Sequence, residues 1–107
     1  MKFYLVHMTH NDLDRWKKHV DAHVDYLKTL VEKQVLRASG PVAGGLSRQG
    51  FLIMTVESYS DVLGIARDDP FAINGLIDEL EIHEWNPIFG VFSGEASPMS
   101  SGDKLKG

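Results

Sequence analysis

The chain has 107 residues, enough for one domain with a modest core, and its 43 % hydrophobic and 24 % charged content is that of an ordinary soluble protein. With 11 basic against 15 acidic residues, its net charge of −4 offers no basic surface for nucleic acid or an anionic membrane. There is no cysteine, which excludes disulfides, thiolate metal sites and a cysteine nucleophile.

Lys2 to Met8 carries large side chains on both faces, with Phe3, Leu5 and His7 on one and Tyr4, Val6 and Met8 on the other. This predicts a strand covered on both sides. Met1 leads straight into that strand, so no signal peptide is expected. No run approaches the ~20 apolar residues of a membrane span, and a cytoplasmic protein is expected. Thr9-His10-Asn11-Asp12 supplies cap residues for a long helix that starts near Asn11 or Asp12 and ends around Lys33. At about 100° per residue, Leu13, Val20, Val24, Leu27 and Val31 share one narrow face. Trp16, His23 and Leu30 flank it, and His19 lies further toward solvent. Arg15, Lys17, Lys18 and Lys28 alternate with Asp12, Asp14, Asp21 and Asp25, which reads as a solvated, ion-paired helix face.

Val35 to Ser39 reads as the second strand, broken at Gly40-Pro41. Gly44 to Gly50 reads as a polar hairpin connection, and Phe51 to Val56 as the third strand. Ser58 to Ala66 is a second helix with Tyr59, Val62, Leu63 and Ala66 at core spacing and Ser58 or Ser60 as cap. Asp69-Pro70-Phe71 starts a short helical turn, with Asp69 as cap and Pro70 at the first helical position. Glu81 to Phe92 reads as the fourth strand, interrupted at Pro87. Ser93 to Gly107 has almost no apolar content and reads as disordered, or as an arm that orders against a partner. The domain is accordingly taken as 1–93 and the flexible tail as 94–107.

The order β-α-β-β-α-β, with right-handed crossovers, predicts an α+β, ferredoxin-like fold. It has a four-stranded antiparallel sheet with both helices on one face. The other face needs a cover, and a second copy of the same sheet is the simplest, so a homodimer is expected.

His23 sits at the border of the apolar stripe, where packing holds the ring and one nitrogen can reach a cleft. A core-edge histidine bonded to a carbonyl would occupy the same place. Asp69 before Pro70 has the position of a helix cap. His19 and His23 stand four residues apart and could share a metal, but no third ligand lies near in sequence, so no metal site is assigned. No cofactor is assigned either, since the chain has no Gly-rich dinucleotide or phosphate motif. Arg48 in the Gly-rich loop could clamp an anionic or phenolate oxygen, with Ser47 donating beside it. Trp16, Phe71 and Trp85 could wall an aromatic pocket or simply be core, and Pro70 goes with Phe71. His7, His10 and His83 carry no pattern beyond their residue type, although His7 stands on a strand face.

The spacing His23-x-x-x-Leu27, then Leu36-x-x-x-Gly40-Pro41, then Asp69-Pro70-Phe71-x-x-x-Gly75 resembles the YCII family, over Met1 to Phe92. That resemblance implies a dimeric α/β barrel with a pocket between sheet and first helix and a His–Asp dyad, here His23 and Asp69. The activity it implies most directly is dehydrochlorination of a chlorinated hydroxyhydroquinone in chloroaromatic degradation. Muconolactone-type isomerases share the fold more distantly, and a non-catalytic small-molecule-binding protein is the alternative of another class. Two departures stand out: Gln34 occupies a position where the family usually has Gly, and the Gly44–Gly50 loop is shorter than in some members. The expected function is a cofactor-free acid–base enzyme acting on a small hydroxylated aromatic ring. Its expected catalytic residues are His23 and Asp69, with Trp16, Ser47, Arg48, Pro70 and Phe71 binding substrate.

Overall fold

Residue parity along the first strand decides which side of the sheet becomes the dry core. The structure is a computed structural model and describes residues 1–98. In chain order it comprises β1 (Lys2–His10), α1 (Leu13–Glu32), β2 (Leu36–Pro41), β3 (Arg48–Val56), α2 (Tyr59–Asp68), α3 (Pro70–Ile73) and β4 (Glu79–Trp85), followed by a 3-10 turn at Ser93–Glu95. The strands form one antiparallel sheet in the order β2-β3-β1-β4. This is the ferredoxin-like α+β arrangement. Among the described residues, no helix is long and apolar enough to cross a membrane.

Tyr4, Val6 and Met8 pair with Met54, Leu52 and Gly50 on β3, so these side chains share one face. Leu30 of α1 and Val62 and Ala66 of α2 close over that face and complete the core. The hydroxyl of Tyr26 on α1 donates to the carbonyl of Ile65 on α2 at 2.7 Å and ties the two helices together. Burial, with the negative charges of Asp68 and Asp69, pushes the Tyr26 phenol up to about 12, so it stays a neutral donor.

The buried stripe of α1 is not the one that the helical wheel centres. Leu30 is buried and Trp16, His19, Val20, His23, Tyr26 and Leu27 are half-buried, whereas Leu13, Val24 and Val31 are exposed. The stripe is turned toward the flank because His23 and Trp16 pack on Phe71 of α3, which swings that side of the helix inward. Tyr59, also expected at core spacing, is exposed and only its ring edge meets Tyr4.

Local chemistry fixes the element ends. Asp12 caps α1 by accepting from the backbone N–H of Arg15 at 3.1 Å, and Ser58 caps α2 by accepting from Asp61 at 3.3 Å. At its C-terminus α1 closes in a Schellman motif: Val35 N–H bonds the Leu30 carbonyl and Gln34 N–H bonds the Val31 carbonyl, both at 2.9 Å. Gln34 holds φ at 61°, in the left-handed region that this motif demands and where glycine is the usual residue. The strands run longer than the sequence pattern suggests. β1 continues to His10 and β3 begins at Arg48, because His10 pairs with Arg48 and Thr9 with Gln49. Gly44 and Gly45, at φ 89° and 83°, turn the β2–β3 connection.

β4 also differs, running Glu79–Trp85 rather than Glu81 to Phe92. Pro87 lacks the N–H that a continuing ladder needs, and the chain leaves the sheet there. It folds back across one end of the open face, where Phe92 packs on Phe3 at 5.3 Å and Glu95 makes a bidentate pair with Arg37. The side chain of Asn86 exchanges hydrogen bonds with the backbone of Ser97, so ordered contacts continue past residue 93. The remainder of the expected tail, residues 99–107, lies outside the described residues. Elsewhere on the open face Leu5, His7, Phe51 and Ile53 remain half-exposed.

Candidate active site

At the β1 C-terminal end the space between sheet and helices is a cleft rather than filled core. α1, α3, β1, β2 and β3 bound it, and its volume is about 210 Å³. Apolar cavities of about 150 Å³ admit a benzene ring, so this cleft has room for one substituted six-membered ring.

Asp69 anchors the site. It stands between α2 and α3, is 1 % exposed, and caps α3 by accepting from the Phe71 N–H at 2.9 Å. Pro70 at the first position fixes the entry to α3. Both Asp69 oxygens lie within hydrogen-bond reach of Nδ1 of His23, at 3.0 and 2.8 Å. A carboxylate only accepts, so Nδ1 carries the proton and the neutral ring keeps its lone pair on Nε2. The His23 side chain is 14 % exposed and lines the cleft. Its ring stacks on Phe71 at 4.2 Å and 23°, which fixes the ring plane. Asp69 therefore both caps α3 and bonds Nδ1 of His23.

The aromatic wall continues outward. Trp16 stacks on Phe71 at 5.9 Å, and the Arg48 guanidinium lies over Trp16 at 4.6 Å. Both line the cleft, with the Gly40-Pro41 backbone of β2 opposite. Three expected participants are not among its lining residues. Ser47 points its hydroxyl at Oδ1 of Asn11, 2.6 Å away, and Pro70 shapes α3 without lining the cleft. Trp85 is on the open face, edge-on to Phe3, because β4 pairs Trp85 with Phe3 rather than with a core-facing residue. Among the described residues, no group of three or more metal-ligating side chains gathers around His19 and His23 or elsewhere.

His10 carried no pattern in the sequence, yet it lines this cleft and is only 3 % exposed. Its Nδ1 donates to the carbonyl of Leu76 at 2.7 Å, a contact across 66 residues that Gly75, at φ 68°, makes possible by reversing the chain after α3. Burial, reinforced by the neighbouring His23 and offset in part by the bond to Leu76, holds the His10 pKa below the ordinary 6.5. The available signal was strand parity: His10 shares a face with Tyr4, Val6 and Met8 once β1 is extended to include it.

A profile of the YCII-related domain matches residues 1–86. The chain belongs to the YCII-related family. Among solved structures, this YCII-related chain is similar to 5-chloro-2-hydroxyhydroquinone dehydrochlorinase (TftG) from Burkholderia phenoliruptrix AC1100, in complex with 2,5-dihydroxybenzoquinone. The two are 26 % identical with a TM-score of 0.69, and the match covers 78 % of this chain and 92 % of TftG. A second match is the C-terminal domain of MgtC from Mycobacterium tuberculosis, at 12 % identity and a TM-score of 0.49, covering 79 % of this chain and 88 % of that one. Among curated proteins none matches.

Proposed function

We propose that this YCII-related protein is an acid–base enzyme acting on a small hydroxylated aromatic ring, and that its reaction is dehydrochlorination. The observation that carries the reading is the buried Asp69 bonded to Nδ1 of His23, beside a cleft of single-ring size. An imidazole whose far nitrogen faces such a cleft is a competent base near neutrality, and the carboxylate stabilises the imidazolium that forms. The likeness to TftG supports the choice of reaction.

On a chlorinated trihydroxybenzene, Nε2 of His23 takes the proton of one hydroxyl. The ring ketonises and the carbon bearing chlorine gains a proton. A second hydroxyl then loses its proton as the C–Cl bond breaks, and chloride leaves with the bonding pair. The products are a hydroxybenzoquinone and HCl. Ring oxidation is balanced by loss of chloride, so the step needs no outside oxidant. Arg48 steadies the developing phenolate from the rim, and Trp16 and Phe71 form the aromatic wall against which the ring packs.

The proposal includes a homodimer packed through the open face. Leu5, Phe51 and Ile53 there are half-exposed, and Phe89 and Val91 are 76 % and 89 % exposed. The test of function is an anaerobic assay of purified protein with chlorinated hydroxyhydroquinone, following quinone and chloride together. Stoichiometric release of both that disappears in His23→Ala supports the reading. No release by the wild-type protein refutes dehydrochlorination.

A further inference from the structure

The mechanism above engages one hydroxyl at His23 and leaves a second imidazole in the same cleft unused. Nδ1 of His10 is committed to the Leu76 carbonyl, so the neutral ring carries its lone pair on Nε2. Among the described residues this nitrogen has no hydrogen-bond partner, yet no buried side-chain polar atom there lacks one. Nε2 is therefore not sealed in the core, and the cleft is where His10 meets open space. The rings of His10 and His23 both pack on Phe71, at 4.6 and 4.2 Å. Both imidazoles also line the one cleft, whose volume takes a single substituted ring, so a ring bound there can reach both.

We propose that Nε2 of His10 accepts a hydrogen bond from a second hydroxyl of the bound ring, so that His10 selects rings with two or more hydroxyls over rings with one. This rests on the reading of the cleft as a site for hydroxylated rings. The chemistry of the acceptor narrows the ligand. A neutral imidazole offers a lone pair and no positive charge, so it rewards a hydroxyl donor and gives nothing to a carboxylate or a chlorine at the same place. An unmet buried acceptor is costly, so a ring without the second donor is penalised when it displaces water from Nε2. His10 is in this account a substrate-binding residue, while His23 remains the base.

The test compares the affinities of phenol, catechol, resorcinol and hydroquinone for wild-type protein and for His10→Asn by titration calorimetry. Asparagine can keep the bond to Leu76 through its Nδ2 but has no atom where Nε2 lies. Wild-type protein should prefer the best dihydroxybenzene over phenol by about tenfold, the worth of one neutral hydrogen bond, and the preference should collapse in the variant. A preference that survives His10→Asn, or none in the wild type, overturns the proposal while leaving the site reading intact. If no hydroxylated ring binds at all, the reading of the cleft fails and takes this inference with it. Should His10→Asn not fold, 15N resonances of the wild-type imidazoles decide. Nε2 of His10 should shift with a dihydroxybenzene and not with phenol, and no shift overturns the proposal.

Discussion

The two ends of the helix-covered sheet face use the same scaffold for opposite purposes. At one end Tyr4, Val6, Met54, Leu30 and Val62 fill the space between sheet and helices with apolar atoms. At the other, two strand residues further along β1, the positions facing the helices belong to Met8 and His10, and His23 and Asp69 meet them from above. The alternation of β1 is unbroken across both ends. What changes is the cover: α1 and α2 press directly on the first end, whereas α3 enters at the second and brings a buried carboxylate with it. Apolar side chains fill the first end, and the second holds the cleft.

Breaking the dry end should be the largest stability effect. Leu30→Ala should lower unfolding free energy by about 2–5 kcal/mol, through lost burial and the cavity left behind. Denaturant melts would measure this, and the ring-binding affinity of the folded fraction should stay within twofold. A matching loss of affinity would mean that the two ends are not separable.

At the polar end, Asp69→Asn should cut turnover by about 10²-fold with little change in melting temperature, because general-base catalysis is worth about 10²–10⁴-fold and asparagine caps a helix as well as aspartate. The amide would cap Phe71 through its oxygen and turn its NH2 toward His23. Nδ1 would then have to accept, placing the proton on Nε2 and removing the base from the cleft. An unchanged rate would reduce Asp69 to a cap.

How far these ends could be read from sequence differs in the same way. The element order, the sheet and the dry core follow from periodicities carried by neighbouring residues, such as Tyr4-Val6-Met8 and Val62-Ala66. The pairing of His23 with Asp69 rested on the family resemblance, since 46 residues separate them. Their mutual contact is a product of α3 docking on α1. The place of His10 was legible only through strand parity once β1 is extended to it, whereas its tautomer depends on a carbonyl 66 residues away. Ser47 and Trp85 misled because residue type and loop position say nothing about which face or neighbour a side chain finds. The rotated stripe of α1 has the same origin, as stacking on Phe71 outweighs the symmetry of the helical wheel.

Acid sharpens the contrast by acting on the polar end. The His10 pKa is lowered in the folded protein, so below the ordinary 6.5 the unfolded chain takes up a proton that the native ring resists. Stability should fall as pH drops from 7 through 6, by up to about 1.4 kcal/mol per pH unit for one proton, and the fall should be shallower in His10→Asn. Equal slopes would show that His10 is not held neutral by the fold. The smallest effect lies outside both ends. Gln34→Gly should stabilise by about 0.5–1 kcal/mol, because the left-handed backbone at φ 61° strains any side-chain-bearing residue, and turnover should not change. A destabilised Gln34→Gly protein would mean that the side chain makes up for the strain.

The central claim is that Asp69 acts on substrate only through His23. A double-mutant cycle of turnover with wild type, His23→Ala, Asp69→Asn and the double variant tests it most directly. If the two residues work as one unit, the double variant should be no slower than His23→Ala alone. Losses that multiply, each variant slowing the other's background by its full factor, would contradict the dyad and give Asp69 a role of its own.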